Sequence, residues 1–315
     1  MSKLGGNRNF GFGKQLGYAG HNALTTSYQG HFATVAAHSA RWNRFSEFCK
    51  SIGVKDARNI KQETLKSYAN HLRQQFIEGD ISLRYGHNLL STANVVLAAL
   101  RGDKSIKVSP SQELGKRIQV RTVSPKSLEE KKLKDAIAEL RASGHDRAAA
   151  VLDLARTFGL RLKETSLLNL REAISQAERH GSINVVDGTK GGRGREVDRW
   201  VPATQAGLSA LKAAIAAASP SKNLIPAGHT YAQFFDYVHR TIGPVFQHHD
   251  LGTVHDLRAT YACERYQQIT GVDAPVVAGR RQASKPVDRS ARDTISHELG
   301  HGRRDIAAAY LGSAR

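Results

Sequence analysis

Apolar residues along this chain recur mostly every three or four positions, the period that lines one face of an α-helix. Three such stretches follow one another in the first third. One runs roughly from His31 to Ile52 and aligns Trp42, Phe45, Phe48, Cys49 and Ile52. The second runs from Gln62 to Glu78 through Leu65, Tyr68, Leu72 and Phe76, and the third follows Ser82 with Leu89, Ala93, Val96, Leu97 and Leu100. Together they predict a small helical bundle. Further on, the same period predicts helices over Ser127 to Ala142, His145 to Phe158, Thr204 to Ala218, Tyr231 to Phe246 and His255 to Ile269. The period departs from helical in one place, where the β-prone runs SINVV and VDRWVPA flank the Gly-rich DGTKGGRGRE, the pattern of a hairpin. A polar, basic stretch, GVDAPVVAGRRQASKPVDRS, is expected to be a loop before two short final helices.

These elements predict a mainly α chain with a small β-hairpin or sheet, in two domains. Residues 1–28 lack periodicity and are expected to be a flexible basic arm. Residues 29–105 form the helical bundle, and 106–126, rich in Pro, Ser, Gly and basic residues, form a linker. Residues 127–315 form a second, α+β domain. No internal repeat or low-complexity tract is present.

Charge narrows the partner. The chain carries 46 Lys and Arg against 28 Asp and Glu, a formal +18. The excess is spread along it, with 17 basic and 7 acidic residues up to position 120 and 29 and 21 beyond. Such a balance suits a polyanion, nucleic acid first, although a basic housekeeping or ribosome-associated protein shares it. The two cysteines, Cys49 and Cys263, sit in apolar helical surroundings and read as buried thiols of a reducing compartment. No apolar signal region opens the chain and nowhere do 18 apolar residues run together, so a cytoplasmic, nucleoid-associated location is expected.

Near the end, His297, Glu298 and His301 spell H-E-x-x-H, a zinc-binding signature when the histidines share one helical face. A third ligand is missing: six residues past His301 stands Ala307, and Gly300 and Gly302 end the helix at His301. His248, His249, Asp250 and His255 could supply an upstream set, but a polar loop with a helix cap is the plainer reading. No metal and no cofactor are therefore expected. A nucleotide loop is also excluded, since G-x-x-x-x-G-K-[ST] is absent.

FGLRLKETSLLNL, DGTKGGRGREV, HDLRATYA and LGH followed by Tyr310, in this order, resemble the tyrosine recombinase (phage integrase) family over about Ser127 to Gly312. The bundle before them looks like that family's core-binding, SAM-like domain. The resemblance implies a catalytic set of Arg161, Lys190, His255, Arg258, His301 and Tyr310, with Glu164 supporting Arg161. Guanidiniums suit the negative charge that builds on a phosphodiester under attack, and His255 and Arg258, three apart on a helix, project from one side. The family implies Tyr310 as nucleophile, His255 as base, Lys190 as acid and His301 as a donor to a nonbridging oxygen. His297 and Glu298 are then expected to face solvent. Arg193, Arg195, Arg41, Arg44, Lys61 and Lys66 are expected DNA contacts. Departures are Arg304, where relatives carry an aliphatic residue, and a tail of five residues after Tyr310. The implied protein is a site-specific recombinase or integrase of a mobile element, acting as a tetramer on double-stranded DNA with recombination-site repeats. Its alternatives are type IB topoisomerase-like relaxation and a non-catalytic DNA-binding regulator.

Overall fold

A computed structural model describes residues 7–314, apart from the side chain of Arg193. The first six residues of the expected arm and the Arg193 contact lie outside the described residues. The chain divides into two compact units, residues 1–118 and 119–315, and the division falls inside the expected linker.

In the first unit a 3-10 turn at Arg8–Gly11 precedes α1 (Leu16–Ser27), α2 (Phe32–Ser51), α3 (Gln62–Ile77), α4 (Leu83–Arg101) and the short α5 (Pro110–Glu113). The three expected bundle helices are α2, α3 and α4. Ser82 caps α4 by accepting from Tyr85 N, and left-handed Gly102 ends it. Residues 16–27 are a correction to the expected arm. Leu16, Ala19, Ala23 and Leu24 form a buried stripe against α2 and α4. The stripe is hard to see because small residues make up much of it. They are small because Trp42 lies against them: a Cβ at Gly20 would stand 2.0 Å from Trp42 Nε1. The indole N–H donates to Leu16 O at 2.9 Å. Residues 106–118 fold back on the same unit, where Asn94 exchanges hydrogen bonds with Val108 O and N at 2.8 and 3.1 Å.

The second unit holds α6 (Glu130–Ala142), α7 (Asp146–Phe158), α8 (Leu162–Leu167) and α9 (Leu170–His180), then β1 (Ser182–Asn184) and β2 (Trp200–Pro202). It continues with α10 (Gln205–Ala218), α11 (Tyr231–His248), α12 (Val254–Thr270), α13 (Pro275–Ala278), α14 (Lys285–Glu298) and α15 (Ala308–Leu311). Helix α7 is the centre of this core; α6, α10 and α12 pack around it and bury Ala148, Val151, Leu152, Ala155 and Phe158. The strands pair antiparallel with Ile183 opposite Val201, both fully buried. That is the expected hairpin, with Ser182 opposite Pro202 and Asn184 opposite Trp200.

The stretch 271–290 is not all loop. Its last six residues open α14, with Pro286 in the first turn and Asp288 paired to Arg292 one turn on at 3.0 Å. The run of charges hid a narrow apolar seam of Ala291, Ile295 and Leu299, all fully buried. No helix among the described residues is long and apolar enough to cross a membrane.

The packing of α1 gives a direct test. Leu24→Ala should lower the stability of the first unit by about 2–5 kcal/mol, the usual cost of truncating a buried leucine. Urea denaturation of the full chain measures this, and an unchanged midpoint would return residues 16–27 to the status of a loose arm.

Candidate active site

Helix α7 ends at Gly159, whose φ of +60° reverses the chain and whose missing Cβ makes room for Tyr261, 2.5 Å from where that atom would lie. The chain then enters α8 through Arg161. Glu164, one turn along, accepts from Arg161 N at 2.7 Å and from Arg161 Nη1 at 2.5 Å. Its carboxylate is fully buried and does more than hold Arg161. Arg199 Nη1 lies 2.8 Å from the same Oε1, and Arg258 Nη1 lies 3.6 Å from Oε2. Burial by itself would raise the Glu164 carboxyl, but the guanidiniums of Arg199, Arg161 and Arg258 outweigh it and hold the group below its ordinary range.

Helix α12 starts at Val254 behind Thr253 and places His255 and Arg258 on one side, as expected. Arg258 is 1% exposed and donates to two backbone carbonyls, Gly159 O and, at 2.8 Å, Leu299 O. Burial pulls its guanidinium down to about 10, which leaves it charged at neutral pH. Across from it stands Tyr310, 4% exposed on α15. The Arg258 Cζ lies 5.7 Å from the Tyr310 ring centroid and the His255 ring 5.5 Å from it. His301 Nε2 is 3.1 Å from the phenol oxygen.

Lys190 is exposed on the 3-10 segment Lys190–Arg195 of the hairpin connection. With Arg161, Arg199, Gly300 and His301 it lines a cavity of about 100 Å³. The structure thus brings together all six expected residues: His255, Arg258 and His301 meet around the Tyr310 phenol, and Arg161 and Lys190 meet His301 at the adjoining cavity. Three guanidiniums against one carboxylate leave an excess of positive charge, the complement of an anionic phosphodiester. Both histidines are neutral at pH 7. Burial, then Arg258, lowers His255 below its ordinary value although the ring keeps contact with solvent; burial with Arg258, Arg161 and Arg199 takes His301 down to about 4.

Of the expected DNA contacts, Arg195 is exposed beside Lys190, and Arg44, Lys61 and Lys66 are exposed on the first unit, where Arg41 is half-buried. The H-E-x-x-H helix stops at Glu298, and Gly300 (φ +67°) turns His301 off its axis, so the two histidines do not share a helical face. His297 faces solvent as expected, but Glu298 does not. It is buried, accepting from Tyr261 Oη at 2.7 Å and Arg265 Nε at 3.0 Å, because it falls on the same helical face as Ile295 and Ala291. His248 and His249 both contact Glu139 instead of the candidate site, at 2.9 and 2.8 Å. Arg304 reaches Asp293 at 2.6 Å and leaves Ala307 to fill the core. The residue missed altogether is Arg199. Its signal lay in strand alternation, which puts it on the same face as buried Val201.

A sequence profile described as Integrase matches residues 115–264. Over that stretch, just under half of its length, the chain is similar to the integrase family. The match includes Arg161, Glu164, Lys190, His255 and Arg258 of this chain, and ends before His301 and Tyr310. Among solved structures, the Tn1549 transposon integrase in complex with a circular intermediate DNA is 12% identical, with a TM-score of 0.58 over 96% of each chain. A lambda integrase dimer bound to a COC′ core site is 15% identical, with a TM-score of 0.55 over 93% of each chain. These likenesses establish the fold. No curated protein matches the chain.

The depressed basicity of His301 sets a pH dependence. The folded protein binds this proton less well, at about 4, than the unfolded chain does near 6.5. Its contribution to stability is therefore complete above about 6.5 and is lost as pH falls toward 4. Imidazole NMR should find His301 unprotonated at pH 5.5, and a titration near 6.5 would contradict the burial described above.

Proposed function

We propose that this chain is a site-specific DNA recombinase that cuts and rejoins duplex DNA through a 3′-phosphotyrosyl intermediate. The Tyr310 phenol oxygen attacks the scissile phosphorus, the bond from phosphorus to the 5′ oxygen breaks, and a free 5′ hydroxyl leaves. Attack by the 5′ hydroxyl of another strand reverses the step and releases Tyr310. The phosphodiester energy is kept in the covalent link, so the cycle consumes no nucleotide. The observation that supports this reading most strongly is the ring of His301, His255 and Arg258 around a buried phenol, with Arg161 joined to Arg258 through Glu164.

Each role follows from chemistry. A phenol with a pKa near 10 must lose its proton to attack at pH 7. His255, neutral and on the same helix as Arg258, is suited to take it. Arg161 and Arg258 stabilise the nonbridging oxygens, where charge grows in the transition state. His301 serves the phenol first and, once a phosphate is seated, donates to a nonbridging oxygen. Lys190, exposed on its loop, protonates the departing 5′ oxygen. Arg193, Arg195, Arg41, Arg44, Lys61 and Lys66 grip phosphates, and binding weakens steeply with salt as counterions are released. A tetramer holding two duplexes with recombination-site repeats, as the integrase of a mobile element, accounts for exchange of strands.

The deciding measurement uses a random-sequence library of nicked duplexes and looks for a protein–DNA adduct that survives denaturant. Wild type should form it with or without chelator, and Tyr310→Phe should not. An adduct that persists in Tyr310→Phe would assign the attack to another residue, and relaxation of supercoils without sequence preference would favour a topoisomerase. Lys190→Ala should slow cleavage by about 100-fold or more, within the usual span of general acid catalysis. A substrate with sulfur at the bridging 5′ position should restore most of that rate, because a thiolate leaves without a proton. Equal slowing on both substrates would remove Lys190 from the acid role.

A further inference from the structure

Arg199 has no part in the roles above, yet it is the side chain on which three parts of the site meet. Its backbone is fixed by the last residue of β1 and the one after it: Arg199 N donates to Asn184 Oδ1 at 2.9 Å, and its carbonyl accepts from Val185 N at 3.0 Å. From that anchor its side chain runs inward. Nε donates to Glu298 O at 2.7 Å, at the last residue of α14 before the turn that carries His301. Nη1 lies 2.8 Å from the Glu164 carboxylate that also engages Arg161 and Arg258. The turn is shaped around it, since a Cβ on Gly300 would stand 3.1 Å from Arg199 Cδ. Glu298 is pinned from behind by Tyr261 and Arg265, so the carbonyl that Arg199 grips is itself held still.

We propose that Arg199 is a positioning residue for strand cleavage. Its one guanidinium ties the strand following the Lys190 loop to the carboxylate that orients Arg161 and Arg258, and to the turn that presents His301. The inference rests on the recombinase reading and adds a component to the same site. Stability alone is a poor explanation for this arginine. Its side chain is 4% exposed, and a buried cation costs several kcal/mol in lost hydration that an apolar residue would avoid. Nη1 and Nη2 are both buried without a well-directed hydrogen bond among the described residues, Nη1 having the ion-pair contact with Glu164, so the charge is not fully compensated either. What the guanidinium supplies is a rigid fork that reaches a fixed carbonyl and a fixed carboxylate at once, which a lysine's single ammonium does not reproduce. It also places a third positive charge beside His301 and helps keep that imidazole neutral.

The test uses Arg199→Gln and Arg199→Lys in the full chain, with a nicked duplex that wild type cleaves. Both variants should bind that duplex within about threefold of wild type and cleave it at least about 100-fold more slowly in a single turnover, the scale on which misplaced catalytic groups act. The NMR pKa of His301 should rise in Arg199→Gln, a readout that general loosening of the fold would not move selectively. Near wild-type cleavage by either variant overturns the proposal. Failure of both to fold overturns it too, because Arg199 would then be structural; if only Arg199→Gln fails, Arg199→Lys decides by its cleavage rate. Absence of any adduct from wild type would defeat the recombinase reading itself, and the His301 titration, which needs no DNA, would still report on Arg199.

Discussion

One buried carboxylate organises the catalytic unit. Glu164 has no contact with solvent, and three guanidiniums from three different elements surround it: Arg161 at the start of α8, Arg199 on the segment leading into β2, and Arg258 in α12. Without that negative charge the three cations would repel one another in a medium that screens poorly. With it they converge, and an excess of positive charge faces the cavity beside Lys190 and His301. A phosphodiester brings one negative charge and its transition state another, so the cluster is balanced by the species it would act on. The protein holds this charge in a prepared arrangement by burying it among fixed backbone carbonyls, those of Gly159, Glu298 and Leu299.

The Tyr310 side of the site is built differently. Tyr310 sits on a helix of four residues, too short to hold itself in place. Its position comes from neighbours: α12 packs against it, Arg121 N donates to Ala308 O at 2.9 Å, and His301 holds the phenol oxygen. Arg121 also reaches Asp256 at 2.5 Å, next to His255, so one residue of the segment entering the second unit braces both α15, which carries Tyr310, and α12, which carries His255.

The six candidate residues were legible because their spacing follows a family pattern and because each residue type fits a step of the chemistry. The helices of both units were legible from apolar period wherever large residues carried it. Helix α1 was not, since its stripe contains glycine and alanine whose smallness makes sense only with Trp42 lying against them. The start of α14 was hidden by charges, some of which, such as Asp288 and Arg292, are buried as a pair that a sequence cannot distinguish from two solvated residues. Glu298 misled for the same reason: acidic residues are expected outside, and its partners Tyr261 and Arg265 lie more than thirty positions away.

What the sequence by itself determined is the set of local periods, the basic excess, and the order of Arg161, Lys190, His255, Arg258, His301 and Tyr310 along the chain. These depend on neighbours a few residues apart or on composition, and both can be read in one dimension. Only the tertiary structure decided that Glu164 serves three arginines instead of one, that Arg199 is among them, and that Glu298 is buried between Tyr261 and Arg265. Each of those depends on charges and carbonyls brought together from distant positions. Their cost or benefit exists only after water has been excluded from the space between them.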